Sequence, residues 1–374
     1  DPLRASHPRP TAGPAAIRVT GITPQLAAEQ GLPEAAFIIR IQQELAQPKT
    51  CGIGYNSIRF DDEITRFALW RSLRDPYGRE WQNGNSRWDL LDVTRAFRAL
   101  RPAGIEWPVR DDGFTSFRLE DLTAANGIEH GAAHDAMADV VATIEIAKLL
   151  KRCDEHLFDT LYRQRSKRAV SALVNLDDLT PLVHVSGMFG GARHNLALVV
   201  PVAWHPTNNS ELICVDLGKS PDFLEQPAEI VREHLFTPQI DLPDGVERPP
   251  IKTIRLNRAP VLLPTHWVAG EVAVSLGLDG DLHRQHLFLL RAARAADPAG
   301  FVSRFQDLWQ ERIFPERSDP DQLLYDGFVS DGDRSLCDQA IAEDPAALAG
   351  QSFPFADQRL PEMLFRYRAR NFPD

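Results

Sequence analysis

His134 and Asp139 stand five positions apart in "HGAAHDAMADVV", an H-x-x-x-x-D pattern at the mouth of an apolar, helix-forming stretch. Other acids sit at similar junctions. "FDDE" places Asp61 and Asp62 at a helix start after a short strand, "RWDLLD" carries Asp89 and Asp92, and Asp135 adjoins His134. Aspartates with a neighbouring histidine suit one chemistry in particular. Their oxygens hold hard divalent cations, and a neutral imidazole takes a proton from metal-bound water, as phosphodiester hydrolysis requires. The plainer alternative is an acid favoured in a first helical turn by the dipole and by capping, and that is the role expected of Asp62 and Asp92. Asp139 is expected a turn inside its helix beside the apolar face, where a metal ligand or a buried acceptor explains a carboxylate better than capping does. Spacing alone leaves the His134 and Asp139 pair open between chemistry and an ordinary helix start.

The elements that would position these residues read from local signals. Thr23 is a good N-cap, Pro24 suits a first turn and Gly31 closes the short helix "PQLAAEQ"; "PEAAFIIRIQQEL" gives a second helix. "CGIGY" has strand length, and "DDEITRFALWRSL" is helical, so Asp61 falls on a strand, loop, helix unit. "RWDLLDVTRAFRALRP" predicts a strand-like start and a helix capped by Asp92, and "SFRLEDLTAANG" a helix from Ser116 closed at Gly127. In the stretch after His134, Met137, Val140, Val141, Ile144 and Ala147 share one apolar face. Few strands for so many helices indicate an α/β domain lacking part of its sheet. After Arg168 the pattern changes to β-branched, alternating segments, "PLVHVS", "ALVVPVAW", "ELICVDLG" and "IKTIRLN", as in a small antiparallel barrel or sandwich. Helical patterning returns at "HRQHLFLLRAARAA" and "FVSRFQDLWQERI", and "RSDPDQ" resembles a linker.

Composition sets the limits. With 374 residues, 43% apolar and 25% charged, the chain has the make-up of a soluble globular protein of two or three domains. No uninterrupted apolar run is long enough to span a membrane, and a cytoplasmic location is the expectation. Four cysteines without C-x-x-C spacing suggest neither a disulfide framework nor a zinc knuckle. A net charge of −11 argues against a surface that is basic throughout, although local basic tracks can coexist with it.

The blocks "GYNSIRFDDE", "NSRWDLLDV", "SFRLEDL", "ANGIEHGAAHDAMADV", "PLVHVSGMFG", "LYDGFVSD" and "LFRYRARNFP" occur in the order found in bacterial exonuclease I, a DEDDh-type 3'-to-5' single-strand DNA exonuclease. The chain resembles that family from about Gly13 onward. The resemblance implies an RNase-H-like exonuclease domain (1–154), an SH3-like β barrel domain (155–313) and the start of a helical C-terminal domain (314–374). It makes His134 the general base, Asp139 a direct metal ligand and Asp61 a carboxylate of the second acidic motif, catalytic and metal-binding. Two Mg2+ ions would then flank the cleaved phosphodiester and release nucleoside 5'-monophosphates, in DNA repair and recombination. Single-stranded DNA and single-strand DNA-binding protein are the implied partners of a monomer that does not enter membranes. The residues ahead of "TGITPQ" contain no D-x-E, which the family carries on its first strand. The expectation is therefore a chain truncated at both ends, lacking its first strands and inactive as it stands. The alternative is a catalytically dead module that still binds single strands or docks on single-strand-binding protein.

Single-strand grooves line phosphates with cations and stack bases on aromatic platforms. Near the acidic motifs the resemblance implies a track of Arg66, Tyr77, Trp81, Arg95, Arg101, Phe117 and Arg118, with Arg118 nearest the cleaved bond. The plainer alternative makes Trp81 and Phe117 core residues and the arginines a solvated face. In the basic run "YRQRSKR", Arg165 and Lys167 could guide the strand. His184 and Ser186 share one strand face and are expected to be structural.

Overall fold

The computed structural model describes residues 17–18, 20–129, 136–309 and 318–372. Two compact units emerge, one within Asp1–Arg87, Ala132–Ala138 and Ile313–Asp374, the other within Trp88–Gly131 and Asp139–Arg312.

The first unit opens with α1 (Pro24–Gln30) and α2 (Glu34–Leu45). Thr23 caps α1 as its sequence predicts, its side-chain oxygen accepting from Leu26 N–H at 3.1 Å. Strand β1 (Cys51–Gly54) follows, then α3 (Asp61–Arg71). The turn between them is tight: a Cβ on Gly54 would lie 2.4 Å from that of Ser57, so only glycine fits. β1 pairs with β2 (Ser86–Asp89) in a two-stranded sheet. The last helices of the chain, numbered below, share a core with α3, in which Trp70 and Leu73 pack with Leu324, Cys337, Leu360, Met363 and Tyr367.

In the second unit α4 (Leu90–Leu100) buries Leu90, Val93, Ala96, Phe97 and Leu100. Its N-cap is Asp89, which accepts from Leu91 N–H at 3.0 Å; Asp92, expected to cap it, lies instead within the first turn and pairs with Arg95. α5 (Leu119–Ala125) starts later than expected, after Arg118; Ser116 stays ahead of it, donating its hydroxyl to Asp121 at 2.5 Å and accepting from Arg118 N–H at 3.4 Å. α6 (Ala136–Cys153), most of which lies in this unit, differs further from expectation. Met137, Val140, Val141 and Ile144 are exposed, whereas Ala142, Ile146 and Leu150, spaced four apart on another face, are buried. The helix is apolar on two faces, and periodicity cannot say which one the rest of the unit covers.

α7 (Glu155–Arg163) and α8 (Lys167–Ser171) lead into a five-stranded antiparallel sheet of β3 (Leu182–Val185), β4 (Leu196–Trp204), β5 (Glu211–Asp216), β6 (Ile251–Arg255) and β7 (Val261–Pro264), in the order β6-β5-β4-β3-β7. The first four were visible in the sequence; β7, only "VLLP", was not. β3 and β5 are buried at every position rather than at alternate ones, since both faces are covered. On one side Val200, Val202, Ile213 and Val215 pack with α9 (Ala228–Phe236), α11 (Gly280–Ala296) and α12 (Pro298–Asp307) through Val231, Leu290 and Phe305. On the other, Leu182, Val199, Leu212 and Cys214 pack with Val170 of α8. The short α10 (Glu271–Ser275) precedes α11.

The chain returns to the first unit with α13 (Asp331–Ala342), α14 (Pro345–Leu348) and α15 (Leu360–Asn371). "RSDPDQ" is no free linker at its described end. Asp321 is 2% exposed and accepts from Arg366 at 3.2 Å and from Arg370, so part of the basic run "RYRAR" is neutralised inside the unit. No helix among the described residues is long and apolar enough to cross a membrane.

Candidate catalytic and nucleic-acid-binding residues

Asp61 is the first residue of α3 and is exposed; its carbonyl accepts from the Thr65 hydroxyl at 2.7 Å. Phe60, the N-cap, supplies no side-chain hydrogen bond, and Asp61, Asp62 and Glu63 load the first turn with acid instead. The side chains beside Asp61 are held by a buried ionic cluster. Asp62, expected to be a simple first-turn acid, is buried between Arg79 at 2.8 Å and Arg87 at 2.9 Å. Glu80 accepts from Arg66 through both oxygens at 2.7 Å and from Arg87 at 3.1 Å. Arg66 also reaches Glu63 at 3.0 Å and the Tyr325 hydroxyl at 3.3 Å, and that hydroxyl donates to Glu63. Three arginines thus face three carboxylates, and neutrality makes the burial of five of them, all but the half-buried Glu63, tolerable.

Arg66 is corrected by this arrangement. It was expected on a DNA track, but it is 7% exposed with its guanidinium occupied by protein carboxylates. Burial works against its charge, yet the hydrogen bond and negative charge of Glu80 carry it above its ordinary value. Tyr77 is half-buried beside it, with the Arg66 guanidinium 5.5 Å from its ring centre. Burial, then the nearby Tyr325, push its hydroxyl up to about 12. Trp81 is the opposite case: at 65% exposed it is no core residue and offers a free ring face.

Asp139 lies in the first turn of the described part of α6 and is exposed, with Thr143 donating to its carbonyl at 2.8 Å. It is exposed and so not a buried acceptor. His134, the expected general base, lies outside the described residues.

The other nominated cations belong to the second unit. Arg118 precedes α5 with its side chain 71% exposed and a solvent-facing pair to Glu120 at 2.9 Å. Phe117 is half-buried, and the Arg95 guanidinium sits 5.5 Å from its ring centre. Arg95 pairs with Asp92 at 2.5 Å and packs on Gly187, where a Cβ would lie 2.9 Å from the guanidinium carbon. Sequence reasoning missed Gly187 in this role, although "SGMFGG", rich in glycine, was the available signal. Arg101 is engaged by Asp154 at 2.8 Å and lies 5.4 Å from the Trp267 ring centre. Arg165 stacks on Tyr162 at 3.7 Å and donates to its carbonyl, and Lys167 donates to Ser210 at 2.8 Å. His184 is buried with Nδ1 2.9 Å from the Val261 carbonyl; burial, then the Lys252 charge, hold it down to about 3, so it stays neutral and structural.

The donor chemistry of Asp61 and Asp139, two exposed carboxylates, suits a hard divalent cation. Among the described residues no group of three or more His, Cys, Asp or Glu side chains is assembled that could hold one. The four cysteines are free.

Comparison with known proteins adds the wider frame. Residues 5–147 match a family of exonucleases, 165–310 the exonuclease I SH3-like domain and 318–374 the exonuclease I C-terminal domain. Exodeoxyribonuclease I of Escherichia coli K12 is 46% identical over 361 residues, covering 96% of this chain and 75% of that protein. The crystal structure of E. coli Exonuclease I in complex with a dA16 oligonucleotide superposes with a TM-score of 0.91 at 45% identity, over 96% of this chain and 76% of the other. A structure of SSB/Exonuclease I in complex with the inhibitor CFAM gives a TM-score of 0.86 at 44% identity, over 96% and 75% of the two chains. The RNase-H-like exonuclease domain and the SH3-like domain are therefore both present. Identity at this level along nearly the whole sequence, with three domain matches in a single order, makes this chain a member of the exodeoxyribonuclease I family.

Proposed function

We propose that the protein acts on single-stranded DNA as a 3'-to-5' exodeoxyribonuclease. The observation that carries the reading is the dA16 complex, whose protein this chain follows closely over 96% of its length. Asp61 and Asp139 would hold Mg2+, which, when bound as a pair of ions, supplies charge stabilisation for the attacking and leaving oxygens. His134 is the base that removes the proton from the attacking water. The DNA track on this reading is Trp81, Phe117, Arg95 and Arg118, with Tyr77, Arg101, Arg165 and Lys167 as further contacts. Single-strand DNA-binding protein is the proposed protein partner, in a monomeric cytoplasmic enzyme of repair and recombination.

The test is a labelled oligonucleotide incubated with purified polypeptide and Mg2+, followed for both complex and mononucleotide, with duplex of the same sequence as control. Equal binding of duplex and single strand would overturn the substrate assignment. Mg2+-dependent release of mononucleotides from the single strand is the expected result, and its absence would overturn the proposed reaction.

A further inference from the structure

We propose that Asp62 is a positioning residue for its neighbour Asp61: clamped between Arg79 and Arg87, it sets the direction in which the first turn of α3 presents Asp61 to a divalent cation. The inference rests on the reading of Asp61 as a metal ligand. Helix starts are usually fixed by a capping side chain, but Phe60 provides none, and its backbone (φ −126°, ψ −73°) is neither helical nor extended. Beside the contacts of Glu63 with Arg66 and Tyr325, this turn is tied by a pair of ionic contacts to Asp62, at 2.8 Å from Arg79 and 2.9 Å from Arg87, with the Asp62 side chain 11% exposed. Both arginines come from the segment that leads into and forms β2, so the clamp ties the helix start to the strand rather than to its own helix.

The geometry divides labour between adjacent acids. Asp62 points inward and is saturated by two guanidinium groups, whereas Asp61 is left at the surface of the same turn. A rotation of this turn moves both carboxylates together, so a clamp on one orients the other. Groups behind a metal ligand that fix its direction change metal affinity by roughly 10- to 100-fold when removed. Charge balance also matters, since Glu80 satisfies the other face of Arg87 at 3.1 Å and keeps the clamp neutral.

The test is Mn2+ binding to the 374-residue polypeptide, read by electron paramagnetic resonance of free Mn2+, for the parent, Asp61→Asn, Asp62→Asn and the double variant, with far-UV circular dichroism to confirm folding. The expected result is a weakening of about 10-fold for Asp62→Asn and no further weakening when the same change is made in Asp61→Asn. A purely structural role would weaken binding in both backgrounds alike, and that result overturns the proposal. Parent-like binding by Asp62→Asn also overturns it while leaving the reading of Asp61 intact. A parent that binds no Mn2+, or Asp61→Asn that binds as the parent does, removes Asp61 from the metal shell and the clamp with it. If Asp62→Asn does not fold, Asp62→Asn combined with Arg87→Gln removes one charge of each sign and leaves the cluster neutral. The same four comparisons then apply to that pair.

Discussion

Arg66 and Arg118 both flank acidic motifs, and replacing each by alanine separates a DNA contact from a fold contact. The Arg118 side chain is 71% exposed, and its pair with Glu120 is of the surface kind, worth at most about 1 kcal/mol. A phosphate can replace that carboxylate at little cost. Each phosphate neutralised on a single strand contributes about 0.7 to the slope of log affinity against log salt. Arg118→Ala should therefore flatten the slope by about 0.7, so that a fourfold rise in salt costs the variant about 2.6-fold less affinity than it costs the parent. Arg66→Ala should leave the slope alone. Its loss strips Glu80, 6% exposed at its side chain, of a bidentate partner and leaves the cluster with an uncompensated negative charge. Breaking a buried pair in this way costs about 3–5 kcal/mol, or roughly 6–20 °C in melting temperature at about 2–4 °C per kcal/mol. Fluorescence anisotropy of a labelled oligonucleotide across a salt series, beside thermal denaturation, reads both quantities. An Arg66→Ala protein with parental melting and a flattened slope would refute the division drawn from the coordinates, as would an Arg118→Ala protein with an unchanged slope.

Two further outcomes follow from the same coordinates. Trp81→Ala should weaken single-strand binding by about 1–3 kcal/mol, the range for one base on an aromatic platform, with melting unchanged because the ring is 65% exposed; equal affinity of variant and parent in the anisotropy assay removes Trp81 from the track. His184 is held from 6.5 down to about 3 in the folded chain, so the unfolded chain binds the extra proton first as pH falls. Its contribution is fully present above pH 6.5 and is lost progressively towards pH 3. Between about pH 7 and pH 5 the loss is about 2 kcal/mol at about 1.4 kcal/mol per unit, and urea denaturation at the two pH values should show that loss in the parent and a smaller one in His184→Gln. Identical pH dependence in the two proteins excludes His184 as its source.

What the sequence made legible is what is decided within a few residues. The Thr23 cap, the first-turn Pro24 and the strands β3 to β6 all appear where their patterns put them, because a cap or an alternating run needs only its own neighbours. β7 escaped because "VLLP" is a short apolar run without alternation of its own, and it forms by pairing with β3, Val261 opposite Val185 and Leu262 opposite His184. The same limit governs the candidate site. Asp61 at the start of α3 was legible as a place in a helix, and so was the exposed acid character of the turn. That Asp62 beside it is buried was not, since its partners Arg79 and Arg87 lie 17 and 25 residues away. Nor could the sequence separate Arg66 from Arg118. Both are arginines near an acidic motif, but one meets Glu80 in the interior and the Tyr325 hydroxyl some 259 residues on, while the other keeps to solvent. The sign of a charge is written in the chain; whether it is spent on the fold or left for a ligand depends on where opposite charges come to rest, and at this site those come from distant segments.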